Sequence, residues 1–146
     1  GWLNATVRLY SGTPFDGEPV MMDVATVVRD RLAERGIEIA HLKMTLARDA
    51  GAGSAGDIAV LNLVRSDFVP EVSQSLVDRL RSGQLIVNIR AEGDPGLIRS
   101  TLLDALAERV ARAADLNHTI EHLEHFRPAK PNPTHRMAHL ESIADT

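Results

Sequence analysis

Apolar and polar positions alternate along several short stretches of this chain and follow a helical rhythm along others. Thr6-Val7-Arg8-Leu9-Tyr10-Ser11 alternates residue by residue, which predicts a half-buried strand. Gly12 to Pro19 holds two glycines and two prolines and reads as a loop. From Val20 to Arg35 the apolar residues fall at Met21, Val24, Val27, Val28 and Leu32, a helical spacing, with Gly36 as its stop. Ile37 to Ala47 alternates again. Ala40, Leu42, Met44 and Leu46 are expected on one side, with Ile39, His41, Lys43 and Thr45 on the other. Asp49 to Asp57 is rich in small residues and is expected to be a hairpin connection to an apolar strand, Ile58 to Arg65. Val72, Leu76 and Leu80 suggest a short helix over Pro70 to Arg81, ended by Gly83.

The stretch that follows is a complete unit. Leu85 to Glu92 reads as a strand, and Gly93-Asp94-Pro95 as a sharp turn into a helix running to about Ala114. Asp94 is placed to accept from the free amides of the first helical turn, and Pro95 has no amide there to leave unpaired. Ile98, Leu102, Ala105, Leu106 and Val110 form the expected buried stripe; Arg99, Asp104, Glu108 and Arg112 form the wet side. His118 to Phe126 is expected to be a strand because Thr119 and Ile120 are β-branched. After Phe126, Pro128, Pro131 and Pro133 exclude a helix and predict an extended tail, partly docked, over residues 127–146.

The resulting order predicts an α+β fold: a mostly antiparallel sheet with helices packed on one face, a ferredoxin-like plan with an extra short helix. Residues 1–126 are expected to form a single domain. With 146 residues, 44% hydrophobic and 25% charged, the chain is long enough for a true core. The net charge of −4 and a pI near 5.8 argue against nucleic-acid and membrane-surface binding, which call for a basic footprint. One Trp, one Tyr and three Phe are too few for a base-stacking platform. No apolar run is long enough to span a bilayer. The absence of cysteine excludes disulfides, thiolate metal sites and cysteine nucleophiles, and fits a cytoplasmic setting. The opening Gly1-Trp2, without an initiator Met, suggests a processed chain or an excised piece.

With helices on one face, alternation leaves Arg8, Tyr10, His41, Lys43, Asn88, Arg90 and Glu92 on the other. The last strand adds His118, His122 and Glu124, or Glu121 and His125, according to its register. His118, His122 and His125, interleaved with Glu121 and Glu124, offer ligand types suited to a divalent metal such as zinc. On a regular strand, however, His118 and His122 share a face about 13 Å apart, and His125 points away from His122. Gly51-Ala52-Gly53-Ser54-Ala55-Gly56 has the composition of a phosphate cradle but no following Lys-Ser/Thr pair, and no nucleotide-binding loop or nucleophile elbow occurs elsewhere.

Three stretches resemble a known family. They are Ile39-Ala40-His41-Leu42-Lys43, then Asn62-Leu63-Val64-Arg65-Ser66-Asp67, then Asn88 to Pro95 leading on to His125-Phe126-Arg127-Pro128 and Pro133-Thr134-His135-Arg136. Together they resemble the region after the GTPase domain in bacterial CobW-like proteins, the cobalamin-synthesis type of P-loop metal-chaperone GTPases. The resemblance covers roughly Val7 to Arg136. It implies a non-catalytic accessory domain with no cofactor of its own, which contacts the GTPase domain or a metal-receiving client protein; the nucleotide-binding loop and metal-binding cysteines of such proteins would lie outside this chain. The binding residues expected on this reading are His41, Lys43, Asn88, Arg90, Glu92, Arg127 and Arg136. The alternatives are a self-standing metal module using His118, His122 and His125, and a small enzyme with its site on the open sheet face. Edge strands also make a homodimer an expected assembly.

Overall fold

A computed structural model describes residues 1–49, 57–65, 69–76 and 78–127. Six strands and two helices follow one another as β1 (Trp2–Phe15), α1 (Gly17–Glu34), β2 (Glu38–Arg48), β3 (Ile58–Leu63), β4 (Glu71–Gln74), β5 (Leu80–Glu92), α2 (Pro95–Ala111) and β6 (Leu116–Phe126). The strands form one antiparallel sheet in the order β4-β3-β2-β5-β1-β6. Four of them, β6-β1-β5-β2, with the two helices, make the ferredoxin-like plan. The β3–β4 pair widens the sheet beyond β2.

The helices cover one face because each strand offers that face an unbroken apolar row. Leu3, Val7 and Leu9 of β1, Leu42, Met44 and Leu46 of β2, Leu61 and Leu63 of β3, and Leu85, Val87 and Ile89 of β5 are buried in one cluster with Val24, Val28 and Leu32 of α1 and Ile98, Leu102 and Leu106 of α2. A buried side chain of this size contributes about 1.5–3 kcal/mol relative to exposure, so the two helix stripes hold the layer to the sheet. Across the outside of that layer, Arg31 of α1 makes a two-pronged ion pair with Glu108 of α2, and Asp23 accepts from Arg109 and Arg112. Asp94 caps α2 as expected: its carboxylate accepts from the Leu97 amide at 3.0 Å. Gly36 ends α1 at φ 73°, a left-handed turn that suits glycine.

Three local expectations are overturned. The extra short helix expected over Pro70 to Arg81 is absent from the described part of that segment, which forms β4 and the start of β5. Val72, Leu76 and Leu80 are four apart, which fits a helix turn, but they are also all an even number apart, which fits one side of extended chain. Gly83 does not end a helix. It lies within β5, where a Cβ would come within 2.7 Å of the Ala47 carbonyl oxygen. The expected loop from Gly12 to Pro19 is taken up by the end of β1 and the start of α1. The β1–β5 ladder is irregular between Tyr10 and Phe15, which is how the glycine and proline there are accommodated within a strand. Finally, Ile39 is buried and Ala40 exposed, the reverse of the expected assignment. The register slips between Ile39 and His41, so that Ala40 is the extra residue and Ile39 turns into the core.

The small-residue connection at 50–56 and the tail from residue 128 onward, with Arg136, lie outside the described residues. Among those described, no helix is long and apolar enough to cross a membrane.

Candidate functional site

No described element covers the sheet face opposite the helices. Its residues can be followed in rows across the strands. One row runs His41, Arg90, Trp2 and Phe126, from β2 through β5 and β1 to β6. The next runs Glu71, Asn62, Lys43, Asn88, Asn4 and Glu124 across all six strands. A third holds Val60, Thr45, Ile86, Thr6 and His122. The sequence-predicted residues His41, Lys43, Asn88 and Arg90 therefore stand together at the centre of the face. Strand alternation places them there: each lies one position away from a core residue on its own strand. Glu92, at the end of β5 and opposite Glu38, is exposed at the rim. Arg127 lies apart from this group, where its guanidinium reaches the Asp94 carboxylate at 3.4 Å beside the α2 cap.

The centre is basic. Lys43 and Arg90 are exposed, and among the described residues neither has a carboxylate at ion-pair distance. Asn62 holds His41 through a ring nitrogen to Oδ1 contact of 3.3 Å. The Arg90 guanidinium stacks over Trp2 with its carbon 5.3 Å from the ring centroid, and Trp2 in turn meets Phe126 at 5.3 Å between centroids. Trp2 and Ile86 are each more than a third exposed, large for sheet-face apolar residues facing water.

A second cluster sits lower on the same face. The Arg8 guanidinium donates to both carboxylate oxygens of Asp49 and, through Nε, to Glu121. Ser82 donates its hydroxyl hydrogen to Asp49 as well. The Ser82 bond, and then Arg8, hold the Asp49 carboxyl below its ordinary value, while hydrogen bonds to Asp49 and Glu121 raise Arg8. Asp49 and Ser82 were not singled out from the sequence. Asp49 had the look of a loop residue, and no local pattern signals that β2 ends beside Ser82 of β5.

The three histidines of β6 do not converge. The β1–β6 ladder slips between Thr6 and Val7, leaving Glu121 as an extra residue. His118 and His125 stand opposite the core residues Leu9 and Leu3, on the helix-covered side; His122 stands opposite Thr6 on the open side. The expectation that His118 and His122 share a face is corrected by this bulge, and neither of the two predicted sets of open-side residues is the observed one. His122 reaches Glu124 at 3.4 Å, and these are the two donor groups of β6 that come together. Among the described residues, no group of three or more His, Asp or Glu is arranged to hold a metal ion.

Away from the open face, a cavity of about 370 Å³ lies between the end of β1 and the end of α2, lined in part by Thr13, Asp16, Arg109 and Asp115. Two of its polar side chains already have partners: Thr13 donates to Asp115 across the cavity, and Arg109 is held by Asp23 of α1. No protein-family model matches the chain, and no curated protein or solved structure matches it significantly.

Proposed function

We propose that this chain is a non-catalytic accessory domain that binds a protein partner across its open sheet face. The observation that supports this most directly is the centre of that face: two exposed cations that have no carboxylate partner among the described residues, beside Trp2 and Ile86. A sheet face that needed only to be solvated calls for no large exposed apolar side chains at its centre. Arg, Trp and a central apolar residue are the types that dominate binding energy at protein interfaces.

The resemblance noted above suggests the partner: the GTPase domain of a CobW-like metal-chaperone protein, or the client to which such a protein delivers metal, in the cytoplasm. On this reading the chain supplies contact surface, and nucleotide hydrolysis and metal handling belong to the partner. The partner would meet Lys43 and Arg90 with carboxylates and Trp2 and Ile86 with an apolar patch.

Titration calorimetry with a purified CobW-like GTPase domain tests the reading. Lys43→Glu combined with Arg90→Glu is expected to weaken binding by about tenfold or more, since it reverses charge at the centre of the interface. Charge reversal at Arg99, on the exposed side of α2, should leave affinity unchanged. If the native chain shows no heat of binding to such a domain, or if the Arg99 variant loses as much affinity as the double variant, the reading fails.

A further inference from the structure

The two edges of the sheet are unlike. At one end lies β4, four residues long and in irregular register with β3. At the other lies β6, eleven residues long and, among the described residues, paired on its β1 side alone. A long edge strand presents a row of backbone N–H and C=O groups that a further strand can take up.

We propose that β6 pairs antiparallel with β6 of a second copy, about a two-fold axis passing between Glu121 and His122, so that two sheets become one of twelve strands. The pattern of sides along β6 carries the proposal. Strands that share a sheet must oppose residues pointing to the same side. His118, Ile120, Leu123 and His125 face the helix side, opposite Leu9, Val7, Ala5 and Leu3 of β1. Asn117, Thr119, His122, Glu124 and Phe126 face the open side, and so does Glu121, which reaches Arg8 there. The bulge thus interrupts strict alternation once, at the middle of the strand. Reversal about the point between Glu121 and His122 exchanges His118 with His125, Ile120 with Leu123, Thr119 with Glu124 and Asn117 with Phe126. Every exchange stays on its own side. A slip of one or two residues in either direction opposes a helix-side residue to an open-side one at the centre of the pairing.

The chemistry of the exchanged residues agrees with the geometry. On the helix side, Ile120 and Leu123 are half-buried in one copy and would complete each other's cover across the axis. On the open side, each Glu121 would face a His122, a pair that is favourable whether the imidazole donates a hydrogen bond or carries a charge. The present partners of these two groups, half-buried Arg8 and exposed Glu124, lie on the same side, so they can share the contact. The contact is isologous and therefore closes at two copies. It leaves Lys43 and Arg90 uncovered, so it stands independently of the partner proposed for the open face.

Sedimentation velocity across a concentration series is the test, with circular dichroism to verify folding. The native chain is expected to sediment as a dimer. His122→Glu places carboxylates at all four positions around the axis and is expected to yield monomer; adding Glu121→Lys restores opposite charge across the axis and should restore the dimer. The chain has no cysteine, which permits a second measurement that does not depend on that variant folding. A mixture of Thr119→Cys and Glu124→Cys chains should couple through a short thiol-to-thiol cross-linker, and neither variant should couple with itself. A native chain that stays monomeric up to its solubility limit, a dimer unaffected by His122→Glu, or coupling within either single variant overturns the proposal.

Discussion

Asp49 shows how one carboxylate ties three strands together at the surface. It sits just past the end of β2, takes a hydrogen bond from Ser82 of β5 and pairs with Arg8 of β1. Its carboxyl is held below its ordinary value of 3.8, by Ser82 first and Arg8 next. A folded-state value below the unfolded one contributes stability that is fully present above the unfolded value and is lost as pH falls through the folded one. Ser82→Ala is therefore expected to move the Asp49 titration up toward its ordinary value, read by carbon-detected NMR of the carboxyl. The same change should lower stability at neutral pH by less than about 1 kcal/mol, because the Asp49 side chain is 38% exposed and solvent screens it. In urea titrations the difference between native and variant should shrink as the pH is taken down through the acid range. A constant difference would mean that the hydroxyl acts by packing alone.

Among the elements, the two helices were legible in the sequence because their cues agree. The i, i+3, i+4 stripe, the Asp-Pro start of α2 and the Gly36 stop of α1 all point the same way, and the structure bears each of them out. Strand sides were legible wherever alternation ran unbroken, which is why His41, Lys43, Asn88 and Arg90 could be placed together in advance. What escaped was each point at which a strand gains a residue. Ala40 and Glu121 are the extra residues in β2 and β6, and each reverses the sides of whatever follows it. A bulge is selected by the partner strand's register, so nothing in the local sequence signals it. The same blindness applied to Gly83. Its neighbours suggested a helix stop, whereas its role is to let β5 pass close to β2. Gly83→Ala would bring a Cβ to 2.7 Å from the Ala47 carbonyl and 2.8 Å from Leu80. Backbone cannot yield there cheaply, and thermal or urea unfolding should show a loss of about 1–3 kcal/mol. A neutral result would show that β2 and β5 can separate slightly at that point without disturbing the ladder.

At the scale of the whole molecule, the sheet has four boundaries: a face closed by helices, a face that no described element covers, a long edge at β6 and a short edge at β4. The two proposals use the second and third. The partner reading predicts that reversing Lys43 and Arg90 weakens binding by about tenfold or more while leaving the assembly state alone; the pairing reading predicts that His122→Glu changes the assembly state while leaving the contacts of Lys43 and Arg90 in place. Measuring both properties on both variants separates the two surfaces. The position of β1 has a consequence for how the chain is made. Of the six described strands β1 is made first, yet its partners are β5 and β6, the two made last. Leu3, Val7 and Leu9 must wait in water until residues beyond Leu80 have been synthesised, and the Trp2–Phe126 contact forms only when β6 emerges. A chain ending before Leu80, which lacks both partners of β1, should therefore be open to protease along β1, while a chain that carries β5 and β6 should be protected there.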